Sequence, residues 1–169
     1  QFSMTGKIGA SGNIMSLLYD DDFEGKLTIP CENCFHSMFS GCTSLTSIVI
    51  PNSITSIGYG AFSGCYSLES ITLPFVGGSG SATKTPFTIF GYIFGNKYYT
   101  GSYGAKQYYE NGSYTTYYIP SSLKSVTITG GNVLYGAFSG CKSLTSILIP
   151  DSVTSIGNYA FSGCTSLTS

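Results

Sequence analysis

At 169 residues the chain is long enough for one domain with a real core. Only 9% of its residues are charged, with 7 Lys, no Arg and a net charge of −1, which removes nucleic acid as a partner because Lys and Arg supply most of that affinity. One His leaves little for acid–base catalysis, the 42% hydrophobic content separates the chain from disordered sequences, and no apolar run approaches the roughly 18 residues of a membrane span. The polar remainder is mostly Ser, Thr, Gly and Tyr, a surface chemistry associated with extracellular proteins.

At the N-terminus Phe2, Met4 and Ile8 predict an edge strand. Ser11 or Asn13 then caps a short helix over residues 14–19. Stacked repeats need a cover over their first coil, so residues 1–26 are expected to be an N-terminal cap. Leu27-Thr28-Ile29-Pro30 follows as a first strand, and Cys31, Cys34 and His36 lie just beyond it.

From residue 38 the sequence repeats itself. Met38-Phe39-Ser40-Gly41-Cys42-Thr43-Ser44-Leu45-Thr46-Ser47-Ile48-Val49-Ile50-Pro51 returns as Ala61-Phe62-Ser63-Gly64-Cys65-Tyr66-Ser67-Leu68-Glu69-Ser70-Ile71-Thr72-Leu73-Pro74. Leu45, Ile48 and Ile50 are spaced for a short strand with Ile48 and Ile50 inward and Val49 outward. Ile54, Ile57, Phe62 and Cys65 supply the opposite inner wall, and Ala-Phe-Ser-Gly-Cys reads as one helical or 3₁₀ turn. Gly58, and Gly157 further on, are expected to turn the backbone with positive φ. A single coil cannot bury its own apolar side, but stacked coils can, each strand pairing with the next at roughly 4.8 Å.

Residues 75–120 interrupt the pattern. The insertion opens on Gly77-Gly78-Ser79-Gly80-Ser81, a flexible stretch by composition. The apolar residues 86–95 are expected to be a short helix capping the groove. Asn111-Gly112 between Tyr- and Thr-rich runs predicts a hairpin with a tight turn. Nine of the 14 Tyr lie between Tyr92 and Tyr118. They either pack the hairpin onto the flank or form a ligand-facing patch, since Tyr offers a rigid apolar face with a polar tip. Four of them, Tyr108, Tyr109, Tyr117 and Tyr118, are expected to be replaceable by Ser without loss of folding.

The repeat resumes. Leu123-Lys124-Ser125-Val126-Thr127-Ile128 is one strand row and Leu144-Thr145-Ser146-Ile147-Leu148-Ile149 the next, after Ala137-Phe138-Ser139-Gly140-Cys141. A last copy from Ala160 to Leu167 begins a sixth row. Both ends fall inside patterned sequence, so the chain reads as a piece of a longer, processed protein. The full pattern, I-G-x-x-A-F-x-x-C-x-x-L-x-x-I-x-I-P, resembles the BspA-like, or Treponema pallidum type, leucine-rich repeats. Ile57-Gly58-Tyr59-Gly60-Ala61-Phe62 through Pro74 carries the resemblance, as does Ile156-Gly157-Asn158-Tyr159-Ala160-Phe161 through Leu167. The fold expected is an α+β, β-rich solenoid: about 23 residues per coil, a stacked parallel sheet over residues 27–169, an N-terminal cap and a hairpin-containing insertion. The resemblance implies adhesion to host or microbial proteins from a bacterial surface or secreted location, without enzymatic activity.

The remaining chemistry is sparse. Cys31, Cys34 and His36 lack haem spacing and a fourth zinc ligand, leaving a disulfide or ordinary thiols. Asp20-Asp21-Asp22-Phe23-Glu24 lacks the alternation of a calcium loop and reads as solvated. Cys42, Cys65, Cys141 and Cys164 share one repeat position and are expected to be free, buried thiols. No metal, cofactor or catalytic residue is expected. The predicted contact zone combines two groups. Outward strand-side residues are Thr46, Val49, Glu69, Thr72, Lys124, Thr127, Thr145 and Leu148; the tyrosines are Tyr98, Tyr99, Tyr103, Tyr108, Tyr109, Tyr114, Tyr117 and Tyr118. The partner expected is an extracellular protein or glycan, met by a monomer at the cell surface or outside the cell; the alternative is a spacer holding another domain off the surface.

Overall fold

The structure, a computed structural model, describes residues 37–168. The expected cap over 1–26, the strand at Leu27, the Cys31, Cys34 and His36 group and the acidic run at 20–24 lie outside the described residues.

Alternation of apolar and hydroxyl residues makes each coil contribute a short strand: β1 (Ser47–Val49), β2 (Ser70–Leu73), β5 (Ser125–Ile128) and β6 (Ser146–Leu148). They form one parallel sheet in the order β1-β2-β5-β6. Register is strict: Ile48 lies opposite Ile71, Ile71 opposite Val126, and Val126 opposite Ile147. A one-residue slip would turn this column to solvent. The insertion forms its own antiparallel hairpin, β3 (Ser102–Tyr108) with β4 (Tyr114–Pro120). Because β2 pairs directly with β5, the insertion leaves the parallel stack unbroken.

Three interior columns hold the coils together. Leu45, Leu68, Leu123 and Leu144 are all buried. The Phe column runs Phe39–Phe62 (centroids 5.3 Å), Phe62–Phe94 (6.2 Å), Phe94–Phe90 (5.3 Å), Phe90–Phe138 (4.9 Å) and Phe138–Phe161 (5.6 Å). Each fully buried ring contributes about 1.5–3 kcal/mol of apolar transfer. In the cysteine column the Cys65 thiol donates to the Phe39 carbonyl at 3.0 Å, and Cys164 to Phe138 at 3.2 Å. All four cysteines there are free thiols, as expected from parallel side chains in a ladder.

The Ala-Phe-Ser-Gly-Cys segments are successive turns with i→i+3 bonds, such as Ser63 N–H to Gly60 O and Cys65 N–H to Phe62 O. Among the described residues the one helical element is a 3₁₀ turn, Phe90–Ile93, within the segment expected to be a groove-capping helix. It caps nothing: Phe90 and Ile93 are buried between neighbouring coils. Phe62 N–H donates to Ile93 O and Phe90 N–H to Ala137 O, so this turn stands in for the missing Ala-Phe step of the interrupted coil.

Two glycine expectations change. One left-handed position is two residues before the Phe, at Gly60 (φ 66°), Gly136 (φ 63°) and Tyr159 (φ 58°), and a second is two residues after it, at Gly64 (φ 79°), Gly140 (φ 72°) and Gly163 (φ 75°); neither includes Gly58 or Gly157. Gly157 is required by close approach: a Cβ there would sit 2.4 Å from the Leu134 carbonyl carbon. The run from Gly77 to Gly80 is no flexible linker either. A Cβ on Gly77 would meet Phe87 O, and one on Gly78 would lie 2.5 Å from the Tyr92 ring. Both glycines are buried, and Gly78 N–H donates to Phe87 O at 2.7 Å.

Candidate functional site

The sheet face turned away from the core gathers the eight strand-side candidates. Val49, Thr72, Thr127 and Leu148 lie opposite one another across the four strands. Val49 is 49% exposed and Leu148 63%, while Thr72 and Thr127 are half-buried. Thr46, Glu69, Lys124 and Thr145 form a second, exposed row just before each strand. Their carbonyls take the N–H groups of the next coil: Thr46 O accepts from Glu69, Glu69 O from Lys124, and Lys124 O from Thr145. A third row was missed. Ser47, Ser70, Ser125 and Ser146 are in register between the other two. The alternation that sends Ile48 inward sends Ser47 outward, so the signal was present in the repeat.

The hairpin sorts the eight tyrosines. Antiparallel register places Tyr103 opposite Ile119, Ala105 opposite Tyr117 and Gln107 opposite Thr115 on the inner side. Gly104 with Tyr118, Lys106 with Thr116 and Tyr108 with Tyr114 face outward. Tyr117 is 2% exposed, so it cannot be traded for Ser without cost, contrary to expectation. Tyr109 is half-buried, and its hydroxyl donates to Thr115 Oγ1 at 2.7 Å and lies 3.0 Å from Tyr117 Oη. Tyr103 Oη accepts from the Ser143 hydroxyl at 3.1 Å, and Lys142 Nζ lies 5.0 Å from its ring centroid. Burial raises the Tyr99, Tyr103 and Tyr117 phenols above their ordinary range. Tyr99 Oη is buried with no hydrogen-bond partner among the described residues.

Tyr98, Tyr108, Tyr114 and Tyr118 remain at the surface. Tyr98 and Tyr118 form an edge-to-face pair at 5.6 Å, and Tyr108 and Tyr114 a tilted pair at 5.5 Å. Lys106 Nζ sits 4.9 Å from the Tyr114 centroid. The inner tyrosines thus pack the hairpin onto the solenoid, and the outer ones are left in contact with solvent.

Gln107 anchors the hairpin and was not singled out from the sequence. It is fully buried. Its Oε1 accepts from Gly91 N–H at 2.7 Å, and its Nε2 donates to Ser139 O at 3.0 Å, with Cys141 Sγ 3.5 Å away. It thus ties the hairpin both to the 90–93 turn and to the coil that carries Cys141. The hairpin loop differs from the tight turn expected. Gly112 N–H donates to Tyr109 O, Tyr109 N–H donates to Ser113 O, and of the loop residues Gly112 alone has positive φ. This is a three-residue loop with a glycine bulge.

An open groove of about 440 Å³ lies between Asn52, Thr55, Phe75, Ser81 and Thr129. Its lining carries the hydroxyls of Thr55, Ser81 and Thr129 but no carboxylate, imidazole, thiol or amine to activate them. Among the described residues no three His, Cys, Asp or Glu side chains are grouped to hold a metal ion, and no helix is long and apolar enough to cross a membrane.

Stacked parallel coils with Leu, Phe and Cys columns define a leucine-rich-repeat solenoid. The chain belongs to the BspA-type leucine-rich-repeat family, which matches residues 26–82 and 101–169 in six copies. No curated protein matches it. Among solved structures it is similar to a leucine-rich cell surface protein from Faecalibacterium prausnitzii A2-165, at 31% identity over 81% of this chain and 28% of that one, with a TM-score of 0.43. A leucine-rich-repeat protein from Bacteroides ovatus matches at 24% identity over 78% of this chain and 38% of that one, TM-score 0.38. The leucine-rich-repeat protein of T. pallidum matches at 24% identity over 80% and 38%, TM-score 0.27. The chain thus spans between 28% and 38% of the length of these proteins.

Proposed function

We propose that the chain is a non-enzymatic binding module of a cell-surface or secreted protein, adhering to an extracellular host or microbial protein or glycan. One observation carries the reading: two side-chain rows stand in strict register on the sheet face that the core does not use, and a third, exposed row precedes each strand. A repeating, solvent-facing array suits broad contact, and solenoids use such faces for that purpose. The outward tyrosines of the insertion add large, rigid contact area at low entropic cost. The chain acts as a monomer in this reading. Family membership and the similarity to a Faecalibacterium cell surface protein support a surface location.

A spacer role is favoured by the hydroxyl-rich, nearly uncharged exterior. The two readings separate in one experiment. Immobilised chain is offered mucosal extract, beside a variant carrying Thr72→Lys and Thr127→Lys. Saturable capture of one component, lost in the variant at unchanged circular dichroism, supports binding through the sheet. Capture of nothing saturable leaves the spacer.

A further inference from the structure

The outward face of the hairpin is unlike the rest of the surface. Antiparallel pairing brings Tyr118, Gly104, Thr116, Lys106, Tyr114 and Tyr108 onto one side, and Tyr98 packs edge-to-face on Tyr118. Tyr98 is 68% exposed, Tyr114 50% and Tyr108 43%. The rings form two platforms, at Tyr118 and Tyr114. These lie four residues apart on β4, about 13 Å at strand rise. Between them in register stands Lys106, exposed and without an ion pair among the described residues, its Nζ 4.9 Å from the Tyr114 centroid.

Size and edges select the kind of ligand. Two strands of this length present about 200 Å², roughly a quarter of what one partner gives to a standard protein interface. A chain-like ligand fits this; a globular surface does not. An extended peptide would bind by adding to a strand edge, and the β3 edge is taken up. The pair Tyr109–Ser113 fixes the ladder phase, so Gly104, Lys106 and Tyr108 turn their backbone groups away from β4. On that side Gly140 and Gly136 stack so closely that a Cβ on either would lie 3.1 Å from Lys106 O or 2.7 Å from Tyr108 O. On the β4 side Tyr118 N–H is bound to Gly95 O, which leaves only the stretch 114–116 at the hairpin tip, shorter than the usual strand of about five to six residues that a peptide would extend. Recognition is left to ring faces, hydroxyls and one ammonium group. Ring faces carry negative quadrupole density that attracts the weakly positive C–H bonds of a sugar face, hydroxyl tips match sugar hydroxyls, and the ammonium matches an acid.

We infer that the outward hairpin face is a subsite for an acidic oligosaccharide, with sugar rings on the Tyr98–Tyr118 and Tyr108–Tyr114 platforms and a carboxylate or sulfate on Lys106. This rests on the binding-module reading and names the ligand class for its insertion.

The test titrates the whole chain with tetragalacturonate and with its fully methyl-esterified, uncharged form, read by tyrosine fluorescence, since the chain has no Trp, and by calorimetry. The acid form should bind at least about tenfold more tightly, as expected for a charge-assisted contact. Lys106→Gln should bring the two forms within about twofold, and Tyr98→Ser or Tyr114→Ser should weaken both by about three- to tenfold. Each substituted side chain is exposed, so circular dichroism should not change. The Thr72→Lys, Thr127→Lys variant should bind the acid form as the parent does. Equal affinity for the two forms, or wild-type binding by Lys106→Gln, overturns the inference. So does absence of saccharide binding from a chain that still captures a protein through its sheet face, and that result leaves the binding-module reading standing.

Discussion

Gln107→Leu tests how the insertion is held to the solenoid. The substitution keeps approximate size and removes both carboxamide functions. Gly91 N–H and Ser139 O then lose their partners in a site from which Gln107 itself is fully excluded from water. Each buried, unpaired backbone group costs about 1–3 kcal/mol, about 2–6 together. Burying the leucine returns about 1–2 kcal/mol, so the net loss is about 2.5 kcal/mol, within a range of about 0–5. Urea denaturation followed by far-UV circular dichroism measures it, and hydrogen exchange at the Gly91 amide shows whether the loss is local. Gln107→Glu adds a pH signature. Its carboxylate still accepts from Gly91 but turns an acceptor toward Ser139 O, whereas the protonated acid restores the donor. The folded pKa must therefore rise above the free value of about 4.3. Above that pH the unfolded state releases the proton and the folded state keeps it. Stability then falls as pH rises, by about 1.4 kcal/mol per unit, until the folded pKa is passed. If Gln107→Leu lies within about 0.5 kcal/mol of the parent with Gly91 exchange unchanged, Gln107 is not the pin.

Three further outcomes follow from the same geometry. Gly136→Ala meets both a left-handed φ and a Cβ contact 2.7 Å from Tyr108 O, for a loss of about 2–3 kcal/mol; Tyr159→Gly should gain up to about 1 kcal/mol, less its edge contact with Tyr135, and urea midpoints check both. Tyr117→Ser should cost about 3–5 kcal/mol, near the range for truncating a buried aromatic, while Tyr114→Ser costs under about 1 kcal/mol; equal thermal shifts for the two would contradict the assigned faces. Burial, and then the neighbouring Cys42, pushes the Cys65 thiol up to about 12, and burial pushes Cys141 well up. The unfolded thiols ionise near 8.5 while the folded ones do not, so these groups subtract stability as pH rises from about 8.5 toward 12 and subtract none below it. Measured at pH 8, modification of Cys65 and Cys141 by a thiol reagent should track global unfolding; rapid labelling of the native protein would refute their burial.

Much of the architecture was legible because the coil repeats. Ile48, Ile71, Val126 and Ile147 occupy one repeat position, and only stacking buries such a column. The outward row of Val49, Thr72, Thr127 and Leu148 followed from the same alternation. The glycines were less legible. Gly58 and Gly157 stand out by their recurrence, but recurrence does not distinguish a need for positive φ from a need for room beside a neighbouring backbone. The 77–81 run has a linker's composition, yet Gly77 and Gly78 within it are packed because Phe87 and Tyr92 close over them. Tyr117 and Tyr118 are chemically identical neighbours, and only the phase of the strand tells which ring is buried.

The sequence by itself determined the stacked coil, its inward columns and its family, since each is a local pattern multiplied by repetition. Only the tertiary structure decided how the insertion is absorbed: Phe90 and Phe94 complete the aromatic column, Gln107 ties the hairpin to the 90–93 turn and to the Ser139 carbonyl, and one face of the hairpin is left to solvent. Those outcomes depend on contacts between residues 16 to 48 apart in the chain, and no repeat encodes them, because an insertion that occurs once has nothing in its own sequence to be aligned with.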